Sequence, residues 1–246
     1  MLDKFLAHCP PSTFYQGRLY RIVETQQYAA TTGLVDNLEE QALLEQLLDN
    51  AKPPYKEGTE QRHYLISTPF RYPPLKYGSR FGNRHMPSYF YGSEHLDTVL
   101  AECAFYRLKF MHDMSIPYSD AVNSEHMTFS VNIATQNMAD LCQIKDANIQ
   151  QQLRHPTDYQ FSQAVGRYLT EQTKTHGLRY FSARCEAGIN LAIAEPDVIK
   201  STEPETCCNW MCQTTMQSVS FNFHKNQPVT FSIETFLVDG KLPNLA

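Results

Sequence analysis

Six side chains in this sequence are of types that could do chemistry on a charged substrate: Arg21, Arg80, Tyr91, Glu102, Ser182 and Arg184. Tyr91 follows Arg80 by eleven residues, and Glu102 follows Tyr91 by eleven more. Arginine offers a planar, permanently charged fork that fits phosphate oxygens. Arg80 stands in YGSRFG (77–82), where flanking glycines let backbone N–H groups approach an anion closely. A glutamate supplies negative charge beside a developing cation and a grip on hydroxyl groups. A tyrosine can stack on a flat ring while its hydroxyl bonds a polar group. Ser182 has no paired base in the sequence, so its expected work is to orient a carboxylate or bond a hydroxyl, not to attack as a nucleophile. Arg184, two residues on, shares a face with Ser182 if the strand continues, and is a weaker phosphate candidate. Each residue has a plainer alternative. The arginines could be capping or ion-paired surface groups, Tyr91 a half-buried strand residue, Glu102 a solvated helix residue and Ser182 a small residue at a strand crossing.

These residues need elements to hold them. Residues 17–25 alternate apolar and polar positions and read as a strand carrying Arg21. Residues 37–50 read as a helix with Leu43, Leu44, Leu47 and Leu48 on one side and Glu39 and Glu40 in its first turn. Residues 51–60 read as a loop. The stretch 66–88, interrupted by prolines and glycines, is too broken for a helix and reads as a structured functional loop. Residues 88–92 read as a strand. Ser93 is placed to cap a helix running to about Met111, whose inward face carries Leu96, Val99, Leu100 and Cys103, with the Arg107 stem at its edge. Glu102 falls at the flank of that stripe, where a cleft rim would lie. Further strands are expected at 126–134, 178–183, 189–194, 214–223 and 228–237, with a helix over 156–175 that ends near Gly177. Without a regular βαβ rhythm, the class is α+β rather than a doubly wound parallel sheet.

Four segments together resemble the RES domain, a family named for its Arg, Glu and Ser residues: LYRI (19–22), YGSRFG (77–82), SYFYGSEHLDTVLAE (88–102) and HGLRYFSAR (176–184). The likeness runs from about residue 17 to about residue 197. Arg80, Tyr91, Glu102 and Ser182 match its motif positions, and Arg21 matches the early strand arginine. Many shorter RES toxins have GRW where this chain has SRF, which keeps the arginine and an aromatic. The resemblance implies an ADP-ribosyltransferase-like fold of mixed and antiparallel sheets with flanking helices, in a single domain over 1–246. The role of 198–246 is open: added edge strands, or an interface for a partner or a second copy. The resemblance also implies a toxin-type enzyme that cleaves the nicotinamide–ribose bond of NAD+, with water or inorganic phosphate as acceptor. NAD+ is then a substrate, and no bound cofactor is implied. Arg21 and Arg80 would hold the diphosphate, with Arg184 as a weaker candidate. Tyr91 would pack the nicotinamide end, Glu102 would grip the ribose and stabilise the cation, and Ser182 would orient the group. An Xre-type antitoxin is the implied protein partner. Two other readings stay open, an ADP-ribosyltransferase acting on a protein and a non-catalytic NAD+ or ADP-ribose binding module.

Composition narrows the field. A net charge of −5 over 246 residues gives no global basic field for nucleic acid or anionic membrane. No apolar run nears the roughly 20 residues of a membrane span, and the start does not read as a signal peptide. Seven cysteines, an odd number with irregular spacing, point to reduced thiols and a cytoplasmic setting. CCNWMC (207–212) has metal-like spacing, with His224 and Cys142 as available further ligands, but buried thiols are the better reading and no metal site is expected. HExxH, GxSxG, P-loop and GxGxxG motifs are all absent.

Overall fold

The structure, a computed structural model, describes residues 2–25, 34–72, 74, 76, 78–223 and 227–244; Tyr77 and His224 lie outside them. Its frame is a mixed eight-stranded sheet. The strands are β1 (Ser12–Glu24), β2 (Phe90–Ser93), β3 (Val122–Asp140), β4 (Gly177–Phe181), β5 (Ile189–Ile193), β6 (Glu205–Thr214), β7 (Ser218–Asn222) and β8 (Val229–Ser232). They run in the order β1-β2-β5-β4-β3-β6-β7-β8, and β1 also pairs with β3. Five strands therefore close on themselves, and β6, β7 and β8 extend the sheet from the first half of β3. The β3–β4 pair is parallel and the other strand pairs are antiparallel. This is the α+β arrangement expected.

Among the described residues six α-helices accompany the sheet: α1 (Leu2–Leu6), α2 (Leu38–Ala51), α3 (Tyr64–Arg71), α4 (Leu96–Asp113), α5 (Ala147–Leu153) and α6 (Gln160–Glu171). None is long and apolar enough to cross a membrane. Helix α4 buries Leu100, Ala104, Phe105 and Leu108 against Trp210, Cys212, Val219 and Phe221 of β6 and β7. Full burial of each large apolar side chain stabilises the fold by about 1.5–3 kcal/mol, so the extension belongs to the same core as the helix that carries Glu102. Helices α5 and α6 bury Ile149, Leu153, Val165 and Leu169 with Phe81, fixing the turn that holds Arg80.

Several local expectations are corrected. The stretch 66–88 does not begin as a loop, because α3 continues to Arg71 despite the internal Pro69. Burial of Leu65, Ile66 and Phe70 compensates for the lost backbone bond. Ser93 does not cap α4: it ends β2, and the N-cap is His95, without a side-chain cap bond. Helix α6 stops at Glu171, and the left-handed residue after it is Lys174 (φ 54°), while Gly177 opens β4. The strand over 178–183 ends at Phe181, since Ser182 Oγ accepts from the N–H groups of Arg184 and Cys185 and turns the chain. The run 214–223 is a hairpin, with Thr215 in the turn between β6 and β7. The leucines grouped on one side of α2 stay accessible, with Leu43 and Leu47 each 57% exposed. The helix stands on its own cap: Asn37 Oδ1 accepts from the N–H groups of Glu39 and Glu40. Arg62, just before α3, donates to the Ile199 carbonyl at 2.6 Å.

Candidate active site

Arg21, Arg80, Tyr91 and Glu102 line one cleft of about 610 Å³ together with Ser93, Tyr106, Tyr159, Tyr180 and Asn190. The volume is in the range of small-molecule sites. Glu102 comes from α4, where Val99, Cys103 and Tyr106 share its cleft-facing side at helical spacing. Its Oε1 accepts two short hydrogen bonds, from Ser182 Oγ at 2.6 Å and Asn190 Nδ2 at 2.7 Å. Its Oε2 has no hydrogen-bond partner among the described residues. Ser182 is fully buried behind the carboxylate and does not line the cleft.

Tyr91 stands on β2 with its hydroxyl 2.8 Å from Ser79 Oγ and 3.2 Å from the Phe81 N–H, which it accepts. It therefore ties the Arg80 turn to the sheet. Burial pushes its pKa up to about 12, so the hydroxyl keeps its proton through the neutral range. The turn closes through the Ser79 N–H donating to the Gly82 carbonyl, with Gly78 in the left-handed region at φ 73°. A side chain there would also meet the Gly82 carbonyl at 2.3 Å. Arg80 Nη1 donates to the carbonyls of Leu153 and His155, and its guanidinium lies over the Tyr159 ring at 4.6 Å. Its other nitrogens have no hydrogen-bond partner among the described residues.

Arg21 reaches the cleft from β1. Its Nη1 donates to the Tyr91 carbonyl at 2.9 Å, and its guanidinium sits 5.0 Å from the Phe90 ring centre. Its Nε is buried without a hydrogen-bond partner, a cost the fold carries to place the guanidinium at the cleft wall. Burial lowers the Arg21 pKa to about 10, which leaves it cationic at neutral pH. Arg184 is not brought to the cleft. It packs 3.5 Å from the Phe105 ring centre and donates to the Pro156 carbonyl at 2.7 Å, and burial lowers its pKa.

Asn190, Tyr106, Tyr159 and Tyr180 escape a reading of the sequence. Asn190 had one signal: it is a polar residue within the apolar strand Ile189–Ile193. Tyr106 had another, being one helical turn beyond Glu102. The cysteines of 207–212 alternate along β6, with Cys207 exposed and Cys212 buried. Among the described residues no group of three His, Cys, Asp or Glu side chains could hold a metal ion.

Comparison with known proteins adds the following. A family model described as the RES domain matches residues 54–217, more than half of the chain. That span includes Arg80, Tyr91, Glu102, Ser182 and Asn190, but not Arg21. No curated protein matches the chain. A solved structure, described as the crystal structure of the M. tuberculosis MbcT–MbcA toxin–antitoxin complex, is similar at 11% identity and a TM-score of 0.47, covering 85% of this chain and 90% of that one.

Proposed function

The chain belongs to the RES domain family, and from that premise we propose that it is a toxin-type enzyme that consumes NAD+ by breaking the bond between nicotinamide and ribose. The observation that carries this reading is the Glu102 carboxylate, held through one oxygen by Ser182 and Asn190 while the other is left for a ligand in a cleft that also holds Arg21 and Arg80.

In the proposed reaction the C1′–N bond of the nicotinamide ribose breaks and its electron pair goes to the ring nitrogen, releasing neutral nicotinamide. The leaving group is already cationic, so no general acid is required. The sugar carbon becomes oxocarbenium-like, and a fixed negative charge beside it favours this state over the ground state. Glu102 Oε2 would supply that charge and accept from a ribose hydroxyl. Arg21 and the unpartnered nitrogens of Arg80 would bind the diphosphate. Tyr91 offers its ring, because its hydroxyl is engaged in holding the Arg80 turn. Water or inorganic phosphate then bonds to C1′. Water yields ADP-ribose and passes one proton to solvent, and hydrogen phosphate yields ADP-ribose 1″-phosphate with no proton lost in forming the bond. The family also implies an Xre-type antitoxin, which we propose as the protein partner.

The test is incubation of the purified protein with NAD+, with and without phosphate, followed by separation of products. Nicotinamide release is expected, and the second product names the acceptor. Glu102→Gln keeps the shape and removes the charge, and is expected to lower kcat by at least about 100-fold, the size of a lost electrostatic contact to a transition state. Turnover of NAD+ by this variant at the normal rate would overturn the mechanism. Label passing from NAD+ onto a protein without free ADP-ribose would reassign the chain as a protein-modifying transferase.

A further inference from the structure

We propose that Asn190 is a positioning residue for Glu102: its side-chain amide, locked by Ser93, holds the carboxylate against the cleft wall and presents a second N–H to the substrate ribose. The proposal rests on the reading of the site above. Asn190 lies on β5 opposite Ser93 of β2 and opposite Tyr180 of β4. Directly paired residues point to the same side of a sheet, and all three line the cleft.

Asn190 is 5% exposed and Ser93 is 2% exposed. A buried amide is costly unless its groups are paired. Here the Ser93 hydroxyl donates to Oδ1 at 2.6 Å, and that bond decides which end of the amide faces Glu102. Nδ2 carries two hydrogens. One goes to Glu102 Oε1 at 2.7 Å, and the other has no acceptor among the described residues. Two donors on one oxygen, Ser182 Oγ and Asn190 Nδ2, restrict the carboxylate to one orientation and leave Oε2 without a partner among the described residues. Ser182 is itself fixed by the N–H groups of Arg184 and Cys185. The amide would thus raise the rate by preorganisation, through Glu102, in addition to contacting the ribose.

A polar clasp joining β2, β5 and α4 would use the same bonds for stability alone. Asn190→Asp separates the two roles, because it keeps the shape and sets a second carboxyl beside Glu102. Two carboxyls this close hold one proton between them to a higher pH than either would alone. The remaining ionisable groups lining the cleft are Arg21, Arg80, four tyrosines (Tyr91, Tyr106, Tyr159 and Tyr180) and the Cys103 thiol. No other carboxyl and no imidazole among the lining residues competes in the acidic range. With the proton on the introduced carboxyl, the donor to Glu102 is restored. When it leaves, the two charges repel.

The experiment measures kcat and KM for NAD+ in the wild type and N190D between pH 5 and pH 8.5, alongside thermal melting and NMR titration of the 13C-labelled Glu102 carboxyl. At the alkaline end kcat of N190D is expected to fall about 10- to 100-fold, the range of a lost hydrogen bond to a charged group. Its ratio to wild type should climb as pH falls. A ratio that stays constant across the range, or wild-type kcat throughout, would overturn the proposal. If N190D does not fold, Ser93→Ala carries the test: lower kcat at little-changed KM supports positioning, and unchanged kcat overturns it. A wild-type protein that does not consume NAD+ sinks the reading of the site instead. The carboxyl titration then bears on the contact by itself: a raised Glu102 titration point in N190D supports the Asn190–Glu102 bond on which positioning depends, and an unmoved one overturns it.

Discussion

At the scale of single residues, the site is a set of buried polar bonds whose members depend on one another. Ser182 Oγ both donates to Glu102 and accepts from two backbone N–H groups. Ser182→Ala removes the donor and leaves those N–H groups buried without that acceptor. Such unmet groups cost about 1–3 kcal/mol each. The variant is therefore expected to melt several degrees lower and to lose about tenfold or more in kcat, as read by thermal unfolding and NAD+ turnover. Arg21 gives a prediction in pH. Its folded pKa of about 10 is depressed by burial, so its charged form is penalised in the folded state. That penalty is fully present below pH 10 and is relieved as pH rises from there toward the unfolded value. Anion binding runs the other way, because it needs the proton that Arg21 loses. Affinity for ADP-ribose, read by calorimetry, should be flat through neutral pH and weaken as pH passes about 10. Arg21→Met should flatten that alkaline loss while binding more weakly at pH 7.

At the scale of elements, the Arg80 turn is positioned by what packs beneath it. Gly166 of α6 lies so close to the turn that a Cβ would sit 2.2 Å from the Phe81 carbonyl oxygen. Alanine is worth about 1 kcal/mol more than glycine in a helix interior, but this contact is with backbone and cannot be relieved by turning a side chain. Gly166→Ala is therefore expected to lower the melting temperature and raise KM for NAD+ by displacing Arg80. A folded variant with unchanged KM would show that the turn is not set by α6. Helices α2 and α4 make a second contrast. Leu43→Ala on the exposed α2 should change stability by less than about 0.5 kcal/mol, whereas Leu108→Ala in the fully buried face of α4 should cost about 2–5 kcal/mol. Urea unfolding of the two variants checks both.

At the scale of the whole molecule, the closed five-stranded ring and the β6–β8 extension share α4. One end of that helix brings Glu102 to the cleft, while its buried face lies on Trp210, Val219 and Phe221. Truncation after Thr202 would remove those partners and expose Leu100, Ala104, Phe105 and Leu108. The shortened chain is expected to aggregate or to bind a hydrophobic dye, and to lose NAD+ turnover as α4 loosens. A soluble, active truncated chain would show that the cleft does not depend on the extension.

The class of fold, the helix that carries Glu102, the strands around Arg21 and Tyr91, and four of the cleft residues, Arg21, Arg80, Tyr91 and Glu102, could be read from the amino-acid sequence. These were legible because they rest on local periodicity and on motif spacing that survives without a partner segment. Strand β6 was not legible, because Cys, Thr and Asn do not declare an alternation that shows only once Trp210, Cys212 and Thr214 are buried. Helix α3 was hidden by Pro69, whose cost is met by burial from distant segments. The leucine stripe of α2 was legible, but that the described fold leaves it uncovered was not. Packing and strand register decided that Arg184 packs on Phe105 instead of lining the cleft, that the Tyr91 hydroxyl holds the Arg80 turn, and that Asn190 meets Glu102. Those contacts join residues up to 88 positions apart. Their geometry follows from strand register and helix packing, which no local spacing encodes.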